Sequence, residues 1–186
     1  MPQLGVEVTS AAGRTRLEAG EGLSPAGRQT VTVALRVMDA LQTELDTLHR
    51  QIRTFANHQP GCKALQAQYG VGPITSTAIW AMMGDTRRFT ASRQAVRHTG
   101  LDVTVYSSDG KRSRGHLAKQ GPPLLRWALY EAACMASHTR APDHGYYTTV
   151  KDRIDHKRAT ISVARKIARR SHHILRELGD KAYVAA

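Results

Sequence analysis

VTVALRVMDALQTELDTLHRQIRTF, residues 31–55, is the stretch that decides the fold class of this chain. Val31, Ala34, Met38, Leu41, Leu45, Leu48, Ile52 and Phe55 alternate by three and four positions, the spacing that lines up apolar side chains on one face of an α-helix. Thr, Asp, Arg and Gln fill the outer positions, so the stretch reads as a heptad seam about 25 residues long. Ser24-Pro25 supplies a start, with serine placed to cap and proline fixing φ at the first helical position. Pro60-Gly61 requires the helix to end before it. A seam of this kind either pairs with a copy of itself or folds back on another helix of the same protein.

On the N-terminal side, residues 1–23 are rich in Gly, Ala and Glu without sustained periodicity and read as a poorly ordered lead-in. On the other side the pattern stays helical. Lys63 to Asp85 reads as two short helices around Gly70-Val71-Gly72-Pro73, the second running from Ile74 to Met83 and closed by Gly84. Ser92 begins a short helix that stops at Gly100, and Pro122-Pro123 opens another with Leu125, Leu129, Ala132 and Ala136 on one side. A last helix from about Arg158 to Leu178 buries Ile161, Ala164, Ile167, Ala168, Ile174, Leu175 and Leu178. Its other face carries Arg165, Lys166, Arg169 and Arg170.

Leu101 to Tyr106 alternates apolar and polar residues and is the one convincing strand signal, followed by a long polar loop over residues 107–121. The expected fold is therefore mainly α. It comprises a lead-in (1–23), a long coiled-coil-like helix (24–59) and a compact helical domain (60–180). That domain has a helix-hairpin-helix-like element at the Gly-Val-Gly turn and one short strand and loop.

Composition bounds the function. The 186 residues hold 27 Lys and Arg against 15 Asp and Glu, a formal charge of +12, which favours a polyanionic partner. Residues 1–60 carry six basic and six acidic side chains, so the whole excess lies in residues 61–186, with 21 against nine. Cys62 and Cys134 show no CxxC spacing, which fits a reducing compartment and excludes a disulfide scaffold. No run of 18 apolar residues and no signal-type segment occurs, so a cytoplasmic location is expected.

Chemistry is concentrated in YSSDGKRSRG, Tyr106 to Gly115. Between Arg87 and Lys119 stand eight basic side chains and two acidic ones, Asp102 and Asp109. A serine hydroxyl here attacks a phosphodiester only if its proton is removed and cations neutralise the charge that builds on the phosphate. Lys111, Arg112, Arg114 and Lys119 meet the second need, and the sequence shows no obvious supplier of the first. Judged alone, Ser-Ser-Asp-Gly is also an ordinary turn. The Gly70-Val71-Gly72 turn likewise reads two ways, as a tight connection between helices or as a hairpin whose backbone amides grip a phosphate.

The run from Tyr69 to Ala133, YGVGPITSTAIWAMMGDTRRFTASRQAVRHTGLDVTVYSSDGKRSRGHLAKQGPPLLRWALYEAA, resembles the C-terminal domain of the IS110/IS116/IS902 family of bacterial insertion-sequence transposases. Ordered blocks carry the resemblance: GVGPITS, GD followed by Arg88-Phe89, GL before the strand, SSDGK, and the stretch from Gly115 to Arg126. VARKIAR at Val163 to Arg169 extends it, so that it covers about residues 30–178.

The resemblance implies a serine nucleophile that joins covalently to DNA, falling on Ser108 with Ser107 as second choice. The glycine turn and the basic residues give the candidate nucleic-acid contacts Gly70, Gly72, Arg87, Arg88, Lys111, Arg112, Arg114, Lys119, Arg126, Arg165, Lys166 and Arg169. Expected partners are element-end and target DNA, a structured guide RNA that the resemblance implies, and a second copy through the heptad helix. Mg²⁺ in the family is held by carboxylates of an N-terminal RuvC-like domain, which residues 1–30 do not resemble. This chain is therefore expected to hold no metal site and to be a truncated transposase, or else a non-catalytic dimerising DNA- or RNA-binding module. Asp109 departs from the family's usual glycine and puts a negative charge where the scissile phosphate would sit.

Overall fold

The structure is a computed structural model that describes residues 10–20, 22–108 and 111–183, with side chains outside 104–116. The chain divides into two compact units, residues 1–50 and 51–186. Among the described residues the architecture is mainly α, as the periodicity predicts, with one two-stranded sheet.

In the first unit, α1 (Ala11–Ala19) occupies part of the stretch expected to be an unordered lead-in. Ser10 Oγ accepts the Gly13 amide at 3.0 Å, and Gly20 closes the helix in the left-handed region. Two capping residues thus hold a helix that has no apolar stripe to announce it. The long helix α2 (Pro25–His58) starts where Ser24-Pro25 places it, with Ser24 Oγ accepting the Gly27 amide at 3.1 Å. Arg14 bridges to Asp39 at 2.5 Å, and Leu35 is buried. The seam itself lies open: Met38, Leu41, Leu45 and Leu48 are 39–59 % exposed.

The second unit is built around its last long helix. The elements are α3 (Pro60–Leu65), α4 (Pro73–Met83), α5 (Ser92–Thr99), β1 (Val103–Ser108), β2 (Lys111–Leu117), α6 (Pro123–Cys134), α7 (His144–Arg153) and α8 (His156–Leu178). Helix α8 packs against α3, α5, α6 and α7. Leu65, Ile79, Met83, Val96, Leu125, Leu129, Val163, Ile167 and Leu175 form the core, each almost completely removed from water. Prolines open α3, α4 and α6, and Gly84 and Gly100 close α4 and α5 at positive φ. The helix boundaries therefore follow local backbone chemistry. Helix α7 has only Tyr147 and Val150 on its buried side, too short a pattern to stand out in the sequence.

The strand region departs from expectation. Residues 107–121 were expected to be a polar loop, but Lys111–Leu117 pairs antiparallel with Val103–Ser108. The second strand, KRSRGHL, has no apolar alternation in its sequence. Backbone hydrogen bonds hold the ribbon, and a register shift between Val103 and Val105 bends it at its base. An Asp-Gly pair between two extended runs is a hairpin signal, and Asp109-Gly110 was the clue available. No helix among the described residues is long and apolar enough to cross a membrane.

Candidate nucleic-acid interface

The ribbon leaves the helical body at a close backbone crossing. A Cβ on Gly121 would lie 2.0 Å from the His98 carbonyl oxygen and 2.7 Å from the Gly100 nitrogen, so only glycine lets the return strand pass over the end of α5. Two hydrogen bonds fasten the crossing, from the Ala118 amide to Asp102 O at 2.8 Å and from the Lys119 amide to Gly100 O at 3.0 Å. The second holds Lys119 at φ +53°, an uncommon conformation for a side-chain-bearing residue.

Cations ring this base. Arg165 donates from Nε and Nη2 to Leu101 O at 2.8 and 2.6 Å, and burial lowers its pKa. Arg126 donates to Gly121 O on the other side. Both guanidiniums donate to carbonyls rather than to carboxylates. Lys119 and Arg169 are exposed, and so are Arg93 and Arg97 on the outer face of α5. Asp102 is the acid that acts on Arg165. Sequence reasoning missed Arg93 and Arg97, although their i,i+4 spacing opposite buried Ala95 and Val96 marks an outward face.

At the far end of the ribbon the register sets Ser107 opposite Arg112 and Ser108 opposite Lys111, with Arg114 opposite Val105. The side chains of these five polar residues, and Asp109 as a whole, lie outside the described residues. The backbone pairing alone brings both candidate serines to cross-strand positions beside basic residues, within the last two pairs before the turn.

Several other expected contacts prove to be engaged within the chain. Arg87 is held by Asp85 at 2.8 Å and by Asp180 at 2.6 Å, and these carboxylates offset its charge. Arg88 donates to Met83 O at 2.9 Å, lies 3.0 Å from His98 Nε2 and stacks 4.6 Å from the Phe89 ring centre. Lys166 pairs with Asp143 at 2.7 Å and sits 4.3 Å over the Tyr146 ring. Arg170 grips the same carboxylate with two bonds of 2.7 Å. Asp143 therefore spends its charge on two cations of α8, a clamp that sequence spacing did not reveal because its partners lie 23 and 27 residues away.

The glycine turn divides in role. A Cβ on Gly70, at φ +84°, would meet Ala132 O at 2.3 Å, so this glycine serves the packing of the turn on α6. Gly72 faces open space, and its amide donates to Thr75 Oγ1 at 2.9 Å. The amides of Ile74 and Thr75, in the first turn of α4, have no intrahelical acceptor by construction. Among the described residues no three His, Cys, Asp or Glu side chains gather in one place.

Residues 62–148 match the sequence profile of the Transposase IS116/IS110/IS902 family. A probable family 20 transposase of Pseudomonas aeruginosa is 31% identical over 109 residues, covering 56% of this chain and 32% of that protein. The transposase for insertion sequence element IS1111A of Coxiella burnetii is 30% identical over 105 residues, covering 53% and 29%. An insertion element IS116 protein of Streptomyces clavuligerus is 23% identical over 128 residues, covering 68% and 32%. The chain thus spans about a third of the length of these relatives.

Proposed function

We propose that this chain, whose residues 62–148 belong to the IS116/IS110/IS902 transposase family, acts in DNA transposition as a serine-bearing, nucleic-acid-binding domain. The observation that carries the reading is the ribbon β1–β2, which lies inside the matched segment. It sets Ser107 and Ser108 beside Arg112 and Lys111 at one end and has Arg126, Arg165 and Lys119 at the other. A duplex laid along such a ribbon meets positive charge at its base and the two serine positions near its tip. Phosphate contacts of that kind position a strand without reading its sequence. A structured RNA offers the same phosphates and is the second polyanion the interface suits. The Ile74 and Thr75 amides at the glycine turn add neutral donors for a further phosphate.

Alone, the chain holds nucleic acid without completing strand exchange. The test is to incubate the full chain with element-end duplex and Mg²⁺ and to measure both binding and covalent adduct. Salt-sensitive binding without adduct is expected. An adduct that disappears in Ser108→Ala or Ser107→Ala would overturn the inactivity and identify the nucleophile. Salt-indifferent binding would remove the nucleic-acid reading.

The exposed seam of α2 favours one addition, a dimer of this chain through Met38, Leu41, Leu45 and Leu48. In a non-catalytic setting the same two features make a dimerising DNA- or RNA-binding module.

A further inference from the structure

Resting on the dimer reading above, we infer that α2 pairs with a second copy of itself as a parallel, in-register two-stranded coiled coil. Placing Leu41 and Leu48 at d positions puts Val31, Met38, Leu45 and Ile52 at a, and Ala34 and Phe55 at d. Val31 and Ile52 at a with Leu41 and Leu48 at d follow the arrangement that packs best in parallel pairs, because the side chains enter the facing holes at different angles at the two sites; Met38 and Leu45 fill the other two a positions.

Three observations say that the occupant is another copy. Val37, Met38, Leu41, Leu45 and Leu48 remain 39–59 % exposed. At roughly 80–100 Å² each, they offer on the order of 1,000 Å² over a pair of helices, about the threshold of a specific interface. Within residues 31–55, Arg36, Arg50 and Arg53 balance Asp39, Glu44 and Asp46, so this segment of a +12 chain neither attracts a polyanion nor repels itself. Finally, Phe55 already tilts onto Trp80 of its own chain, with ring centres 5.5 Å apart, which leaves the free seam to residues 31–52.

Orientation follows from the flanking charges. In a parallel pair Glu44 at g stands beside the partner's e position, residue 49, a histidine whose ring N–H donates to the carboxylate. In an antiparallel pair with the apolar seams aligned, Glu44 would face its own copy, and like charges there disfavour the arrangement.

The test uses the full chain. Sedimentation over a wide concentration range comes first, and a monomer throughout overturns the dimer reading and this inference together. Single variants Ala34→Cys and Leu48→Cys, each made with Cys134→Ser, are then oxidised mildly; Cys62 is fully buried and stays out of the reaction. Parallel pairing links each variant to itself. Antiparallel pairing sets residue 34 opposite residue 52, so its own copy lies about 27 Å away along the axis. A dimer that forms neither self-link therefore overturns the orientation and leaves the dimer reading standing. As a measurement independent of thiols, Glu44→Lys weakens a parallel dimer several-fold and His49→Glu added to it restores the affinity. A dimer affinity unmoved by either change also overturns the orientation.

Discussion

Arg165 donates two hydrogen bonds to the single carbonyl oxygen of Leu101, at 2.8 and 2.6 Å, and so ties the middle of α8 to the root of the ribbon 64 residues earlier. Hydrogen bonds from a charged donor are worth about 1.5–3 kcal/mol. Arg165→Ala is therefore expected to destabilise the domain by about 2 kcal/mol and to speed hydrogen exchange at the Ala118 and Lys119 amides in particular. Uniform exchange across the whole domain would show that the bond does not anchor the ribbon.

Gly121 and Gly145 give opposite outcomes for the same change. Gly121→Ala drives a methyl group against the His98 carbonyl and the Thr99 backbone, neither of which can swing away, and costs about 2–4 kcal/mol. Gly145 sits in the first turn of α7 with nothing within 4 Å of its missing Cβ, so Gly145→Ala is neutral or stabilises by up to about 1 kcal/mol. Urea denaturation of the two variants measures the contrast.

His172 is 1 % exposed, and its Nδ1 has no partner. Burial lowers its pKa, against a raising influence from the Phe89 carbonyl. The native state thus keeps the ring neutral at a pH where the unfolded chain takes up a proton. The stability it contributes is complete above the unfolded value, near 6.5, and falls as the pH drops below it. His172→Leu should flatten the loss of stability between about pH 7 and 5, measured as the difference in midpoint from wild type. An unchanged slope would assign the acid sensitivity elsewhere.

Asp143 behaves as the complementary acid. Its bonds from Arg170, and then from Lys166, lower its pKa although burial works the other way. A carboxylate depressed in the folded state adds stability above its unfolded value, near 4, and loses it as pH falls through the folded value. Asp143→Asn should cost about 1–3 kcal/mol at pH 7 and progressively less in acid. The effect appears as loosening of α7 from α8, readable in the near-ultraviolet signal of Tyr146 and Tyr147.

Nucleic-acid binding should separate fixed from free cations. Lys119→Ala and Arg97→Ala, both exposed, each lower the salt slope by about one and weaken all duplexes alike. Arg87→Ala, whose charge is offset by Asp85 and Asp180, changes the slope little. Binding measured at four salt concentrations distinguishes these variants. Equal losses for all three would mean that net charge alone governs the interaction.

Much of the helical framework was legible because it obeys local rules. Ser24-Pro25, Gly84, Gly100 and Pro123 act on the backbone within one turn, and the seam of α2 repeats often enough to be read. The ribbon's second strand was not, because Lys111–Leu117 is stabilised by main-chain pairing with residues that its own side chains do not specify. The destinations of the arginines were equally hidden. Arg165, Lys166, Arg169 and Arg170 look alike on one helix face, yet one meets a carbonyl, two share Asp143 and one stays exposed.

The sequence by itself determined most of the helices, the heptad repeat, the basic half and the block of residues that resembles a transposase family, since each depends on neighbours a few positions apart. Only the tertiary structure decided that the loop after the first strand is a ribbon, that Gly70 and Gly121 are there for close packing, and which cations of α8 share a carboxylate within the chain. Those properties depend on distances between groups far apart in the chain, and a charge is spent or spared only by what folding brings within about 3 Å of it.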